Sequence, residues 1–161
     1  MSTEQRTAAT TVEPAVPNEP SLTGARARRI ELREAMADLE VAAARATASP
    51  DWVARVEVAL LGLSAAVDAH AVEVEAESGI LADVLEKAPR LEYQVGTMRS
   101  DHDELRESCQ NLLARLHQEP APDAKVIRRK VISLLGRLTL HRQQGSELVF
   151  DAYNVDIGSG D

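Results

Sequence analysis

Apolar positions in this chain recur at steps of three and four residues along four long stretches, the spacing that holds one stripe of an α-helix against a core. The first stripe is Leu32, Met36, Leu39 and Ala43, which predicts a helix from about Thr23 to Ala46. The second is Val53, Val56, Leu60, Leu63, Val67, His70 and Val74. Ser49, Pro50 and Asp51 precede it as N-cap, first-turn proline and first-turn acid, and Ser78 and Gly79 stop it just after Glu77. A short amphipathic piece, Ile80 to Lys87, leads to Pro89 and a third helix reaching about Gln118, with Leu91, Val95, Met98, His102, Leu105, Cys109, Leu112 and Leu116 on its seam. Pro120 and Pro122 mark the next break, and Asp123 caps a fourth helix extending to about Asn154. That helix repeats Ile127, Val131, Leu134, Leu138, His141, Gly145, Leu148 and Ala152. Short connections force neighbouring helices antiparallel, so the expected fold is all-α, an up-down-up-down four-helix bundle.

Residues 1–20 mix Thr, Glu, Ala and three prolines with too little apolar surface to offset ordering, which predicts a disordered tail before a bundle over residues 21–156. Residues 157–161 are expected to be a frayed end. Aromatic side chains are confined to Trp52, Tyr93, Phe150 and Tyr153, in keeping with helices rather than sheets. A net charge of −8 repels phosphate backbones. The basic runs Arg26, Arg28, Arg29, Arg33 and Arg128, Arg129, Lys130 carry no interleaved aromatics, so they read as solvated helix faces and no nucleic-acid partner is expected. No apolar run is long enough for a membrane span, and the single cysteine, Cys109, agrees with a reducing compartment. The expected location is cytoplasmic, with no membrane partner.

Chemistry enters through the histidines. His70, His102 and His141 each occupy a seam position, so three successive helices aim an imidazole at the core, whereas His117 lies beside the seam and reads as solvated. His102 and His141 stand 16 and 17–18 residues from the ends of their helices that meet at the Pro120 loop, hence level with each other. Counted from the other connection, His70 is out of level with His102 by roughly 9 Å unless Ile80 to Lys87 absorbs the difference. Neutral imidazoles can be ordinary buried residues satisfied by carbonyls or carboxylates, or they can hold iron, zinc, copper or nickel.

With these residues in place, the chain resembles a hemerythrin-like (HHE-type) domain in a divergent actinobacterial form. The likeness covers about Ala25 to Asp156 and rests on His70 followed by acids, on His102 within Arg-Ser-Asp-His-Asp-Glu-Leu, and on His141-Arg-Gln-Gln-Gly-Ser-Glu-Leu-Val-Phe. Ala-Pro-Arg-Leu at 88–91 and the closing Tyr-Asn-Val-Asp-Ile-Gly add to it. The resemblance implies a four-helix bundle around a non-haem di-iron centre that binds oxygen or senses oxygen, nitric oxide or iron, imidazole chemistry leaving zinc as a lesser alternative ion. It also implies five histidine ligands and two bridging carboxylates, and here the chain departs. The first helix offers Leu32 and Met36 instead of a histidine, and the third offers one inward histidine instead of two. The acids expected at 74 and 146 are Val74 and Ser146, with Glu75 and Glu147 one residue late. On a regular helix Glu75 is turned about 140° from His70, while Glu77 is only about 20° away and is the best-aligned acid of its helix. A π-bulge at Gly145 would bring Glu147 into line; close helix packing is the other reading of that glycine. The expected metal set is therefore His70, His102, His141, Glu77, Glu75 and Glu147.

Other chemistry finds less support. A ferritin-like di-iron enzyme needs a Glu three residues before a histidine, but positions 67, 99, 114 and 138 are Val67, Arg99, Ala114 and Leu138. Cys109 lies about 10.5 Å along its helix from His102, too far for proton transfer, and reads as a small core residue. Metal binding without catalysis is the expected function. A metal-free bundle that serves as a protein interaction module or homodimer is the alternative.

Overall fold

The structure is a computed structural model, and it describes residues 19–154. Five α-helices occur in it: α1 (Glu19–Ala44), α2 (Trp52–Glu75), α3 (Ile80–Lys87), α4 (Glu92–Leu116) and α5 (Ala124–Asn154), with a 3-10 turn over Pro89–Leu91 ahead of α4. There is no strand among the described residues. The expected tail and frayed end lie outside them except for Glu19 and Pro20, which open α1.

The four long helices pack in a ring, α1 on α2, α2 on α4, α4 on α5 and α5 on α1. Leu32, Leu39, Leu60, Leu63, Leu105, Ile127 and Leu138 are almost fully buried in one cluster fed by all four. Each such side chain contributes roughly 1.5–3 kcal/mol by leaving water, so this cluster is the main source of cohesion. A second, smaller cluster caps one end, where α3 and the 3-10 turn bring Ile80, Leu81, Val84 and Leu91 against Val95, Met98 and Leu148. The amphipathic piece expected from the sequence is thus the lid of a second core.

Two boundaries of α2 differ from expectation. It begins at Trp52, not at Pro50, because Ser49 Oγ turns to donate to Asp51 Oδ1 at 2.5 Å rather than capping the helix. Trp52 fills the seam with no exposure, leaving Val53 outside. At the other end α2 stops at Glu75, two residues early, and the chain turns over 76–79 with Gly79 N–H donating to the Ala76 carbonyl at 2.8 Å. A Cβ on Gly79 would lie 2.6 Å from the Glu73 carbonyl oxygen, so only glycine lets α3 start this close to the end of α2. The cap expected on α5 is present, with Asp123 Oδ1 accepting from the Lys125 N–H at 2.8 Å.

Arg128 corrects part of the reading of the basic runs as solvated faces. Its guanidinium donates to the carbonyls of Ala43 and Arg45, satisfying the C-terminal end of α1, where a cation is also favoured by the helix dipole.

Cys109 is fully buried in the larger cluster, and burial, helped by the charge of Asp68, pushes its thiol up to about 11. The folded protein is expected to react with a thiol reagent at least tenfold more slowly than the urea-unfolded chain, because both the thiolate fraction and access are reduced. Equal rates would place Cys109 at the surface.

Candidate metal centre

Every long helix puts a polar side chain at the level where the two apolar clusters meet. On α2, His70 lies between Val67 of the larger cluster and Val74 of the smaller; on α4, His102 lies between Leu105 and Met98; on α5, His141 lies between Leu138 and Leu148. The seam step of three or four residues brings each imidazole inward, and all three are buried, His102 and His141 almost completely. Their ring centroids are 4.7 Å apart for His102 and His141, 5.3 Å for His70 and His102, and 5.5 Å for His70 and His141. One ring nitrogen from each lies within 4.8 Å of the other two, a grouping able to hold a metal ion.

The roughly 9 Å difference in level expected for His70 is absent. Residues 76–91 separate α2 from α4 and include all of α3, so α4 does not start from the end of α2 as a direct hairpin would require.

Carboxylates orient two of the rings. Glu75 Oε1 accepts from Nδ1 of His102 at 2.5 Å, and Asp101 Oδ2 accepts from Nδ1 of His141 at 2.6 Å. A carboxylate can only accept, so Nδ1 carries the proton in both rings and Nε2 presents a lone pair. Nε2 of His141 sits 3.4 Å from Nε2 of His70, while Nε2 of His102 and Nδ1 of His70 are buried without a hydrogen-bond partner among the described residues. With Nδ1 protonated, Nε2 of His102 is an orphaned acceptor that costs about 1–3 kcal/mol, a penalty that an ion accepting its lone pair would remove.

Burial and mutual repulsion keep the rings neutral. Burial, followed by the neighbouring His102 and His141, pushes His70 down to about 3; burial, then His141, pushes His102 down to about 4. His141 is also lowered by burial, against the opposing pull of Asp101. Neutral imidazole is the form that ligates, so near neutral pH no proton need be displaced.

The acids expected from the sequence are placed differently. Glu75 reaches the site, but as the partner of His102 Nδ1 rather than beside His70. Glu77 does not reach it: α2 ends two residues earlier, so the alignment counted along a regular helix does not apply, and Glu77 is exposed in the turn. Glu147 does not reach it either; it is exposed and accepts from Gln143 at 2.9 Å on the outer face of α5. No π-bulge realigns it, because α5 is α-helical throughout, and Gly145 simply packs against the Met98 methyl, which a Cβ would meet at 3.4 Å. Val74 and Ser146, at the positions where the resemblance places bridging acids, are an apolar wall and an acceptor for Arg29. His117 is exposed as expected and pairs with Glu57 at 2.6 Å.

Asp101 is the residue that sequence reasoning missed. Its signal was adjacency to His102: one position back from a seam residue lies about 100° around the helix, toward a neighbour, which here is α5.

These observations fit one ion held by three neutral imidazoles and do not fit two ions bridged by carboxylates. Tetrahedral zinc with Zn–N near 2.0–2.1 Å separates ligand nitrogens by about 3.3–3.4 Å; His70 and His141 already stand 3.4 Å apart, and the three donors together lie within 4.8 Å of one another, so closing on an ion needs a small shift of the rings. Glu75→Gln and Asp101→Asn are each expected to weaken metal binding about 10- to 100-fold, as loss of a histidine's supporting carboxylate does elsewhere. Competition with a chromophoric chelator measures this, and affinities unchanged in both variants would reduce the two carboxylates to bystanders.

No helix among the described residues is long and apolar enough to cross a membrane. No protein-family model, curated protein or solved structure matches the chain.

Proposed function

We propose that the chain is a hemerythrin-like, up-down-up-down bundle whose metal centre is reduced to a single non-haem divalent ion held by His70, His102 and His141. The observation that carries this reading is the pair of carboxylate–histidine contacts, Glu75 to His102 and Asp101 to His141, which turn the Nε2 atoms away from the carboxylates and toward the cluster. Three neutral nitrogen donors suit iron and zinc alike, and the two supporting carboxylates balance the charge of a divalent ion at one remove. Iron is the ion the family likeness favours; zinc is the alternative, its tetrahedral spacing being met by one pair of donors, His70 and His141. Three protein ligands leave a coordination position for a small molecule. The function we infer is reversible binding or sensing at that position, in a cytoplasmic protein without nucleic-acid or membrane partners.

Elemental analysis of protein purified without chelators tests this directly. About one equivalent of iron or zinc, absent from His102→Leu and His141→Leu, is expected. A metal-free protein that takes up neither ion would overturn the proposal.

A second reading, a metal-free module that binds a protein partner or a second copy, draws on the exposed Val41 and Val58 beside an apolar groove between α1 and α2. The same metal analysis separates the two.

A further inference from the structure

The histidines line a cavity of about 60 Å³, and the rest of its wall is unusual for an acidic protein. Three arginines, Arg26, Arg29 and Arg142, also line it, and no carboxylate does. The chain has 26 acids and 18 Lys and Arg residues, so a wall whose charged side chains are all arginines is not what composition supplies.

Arg29 comes from α1 at the same seam level as the histidines, between Ala25 of the smaller cluster and Leu32 of the larger. Arg142 follows His141 on α5. Elsewhere in the molecule Arg106 and Arg137 each hold two acids, but neither Arg29 nor Arg142 has an acidic partner among the described residues. Arg29 donates to Ser146 Oγ, and Arg142 Nε is buried without a partner. Burial, and then the charge of Arg142, lowers the pKa of Arg29. A guanidinium is charged throughout the physiological range, so the fold holds two like charges together in the wall of a largely apolar chamber.

We propose that this cavity is the seat of a small oxyanion, gripped by Arg29 and Arg142 next to the metal. The proposal deepens the metal-site reading and rests on it. Guanidinium forks present paired N–H donors that match the oxygens of a carboxylate or similar planar anion. With Glu75 and Asp101 offsetting a divalent ion, the two arginine charges are what an anion would neutralise. Neutral diatomic ligands gain nothing from them. One water needs roughly 10–15 Å³ of such space, so the chamber admits an anion of three or four heavy atoms, such as formate, nitrite or bicarbonate. Val74, Leu81, Met98 and Val149 exclude anything larger or more hydrated.

The test uses full-length protein loaded with Co²⁺, whose visible ligand-field spectrum reports changes at the metal. At constant ionic strength, sodium formate should shift the spectrum saturably, and neutral formamide of the same size should not. Arg29→Gln and Arg142→Gln should keep the parent's Co²⁺ stoichiometry and bind formate at least about tenfold more weakly. Arg142→Lys, which keeps the charge and loses the fork, should fall between. Formate without effect on the parent, or equal formate affinity in all variants, would overturn the anion site while leaving the metal site standing. Arginine variants that lose Co²⁺ together with formate would make the arginines structural supports, and also overturn it. A parent that binds no Co²⁺ would overturn the metal reading, and this inference with it.

Discussion

Zn²⁺ or Fe²⁺ added to chelator-treated protein at about a thousand times its dissociation constant is expected to raise the melting temperature by about 8–16 °C. An ion that binds only the folded state stabilises it by about 4 kcal/mol at that excess, and each kcal/mol moves the midpoint of a domain near this size by about 2–4 °C. The unfolded chain cannot reproduce the site, because its three histidines lie 32 and 39 residues apart in sequence and meet only when α2, α4 and α5 pack. His102→Leu should remove the shift completely. Without metal the same variant should be as stable as the parent or more so, since leucine removes an unsatisfied nitrogen from an apolar seam and leaves Glu75, which is partly exposed, to be hydrated. Differential scanning calorimetry of both proteins with and without metal measures all four midpoints. A parent unmoved by either ion, together with a destabilised metal-free His102→Leu, would mean that the cluster is structural.

Trp52→Ala is expected to cost about 3–5 kcal/mol and to lower the melting temperature by about 6–20 °C. Trp52 is completely buried where α2 starts, its indole N–H donates to the Ala43 carbonyl at 3.5 Å, and the Arg128 guanidinium lies over its ring at 5.8 Å. Truncation therefore opens a cavity and removes the platform beside the residue that caps α1. Trp52 and His70 are about 27 Å apart along the axis of α2, so metal stoichiometry should survive below the new midpoint. Thermal unfolding followed by circular dichroism gives the shift. A loss smaller than about 3 °C would show that the loop between α1 and α2 closes the gap.

The helices and inward histidines were legible because a 3.6-residue period is a property of each helix alone. Leu32, Leu60, Leu105 and Leu138 could be assigned to a core, and His70, His102 and His141 to the same interior, before any helix was placed against another. What could not be read was which side chain crosses to which neighbour. Asp101 reaching His141, and Glu75 reaching His102, depend on how α4 is rotated against α5 and α2. Glu77 was misplaced because its alignment assumed a helix that ends before it. Arg29 was passed over for another reason: charge suggested surface. Stepping back three from Leu32 and then four more gives Arg29 and Ala25, so the period itself marks the arginine as a seam residue.

Because the histidine layer divides two cores of unequal size, filling the site and holding the fold together depend on different side chains. The larger core sets the free energy of global unfolding, whereas Val84, Leu91 and their neighbours cap only one side of the layer. Such a small cooperative unit can open alone at lower cost than the whole domain, with backbone amides there exchanging hydrogen faster than those around Leu60. Ile80 and Leu81 of α3 line the histidine cavity, so an ion held there would be exposed by a transient opening of α3 while the remaining helices stay docked. Weakening that end is expected to hasten exchange of any ion the histidines hold and to leave the melting behaviour of the main core almost untouched.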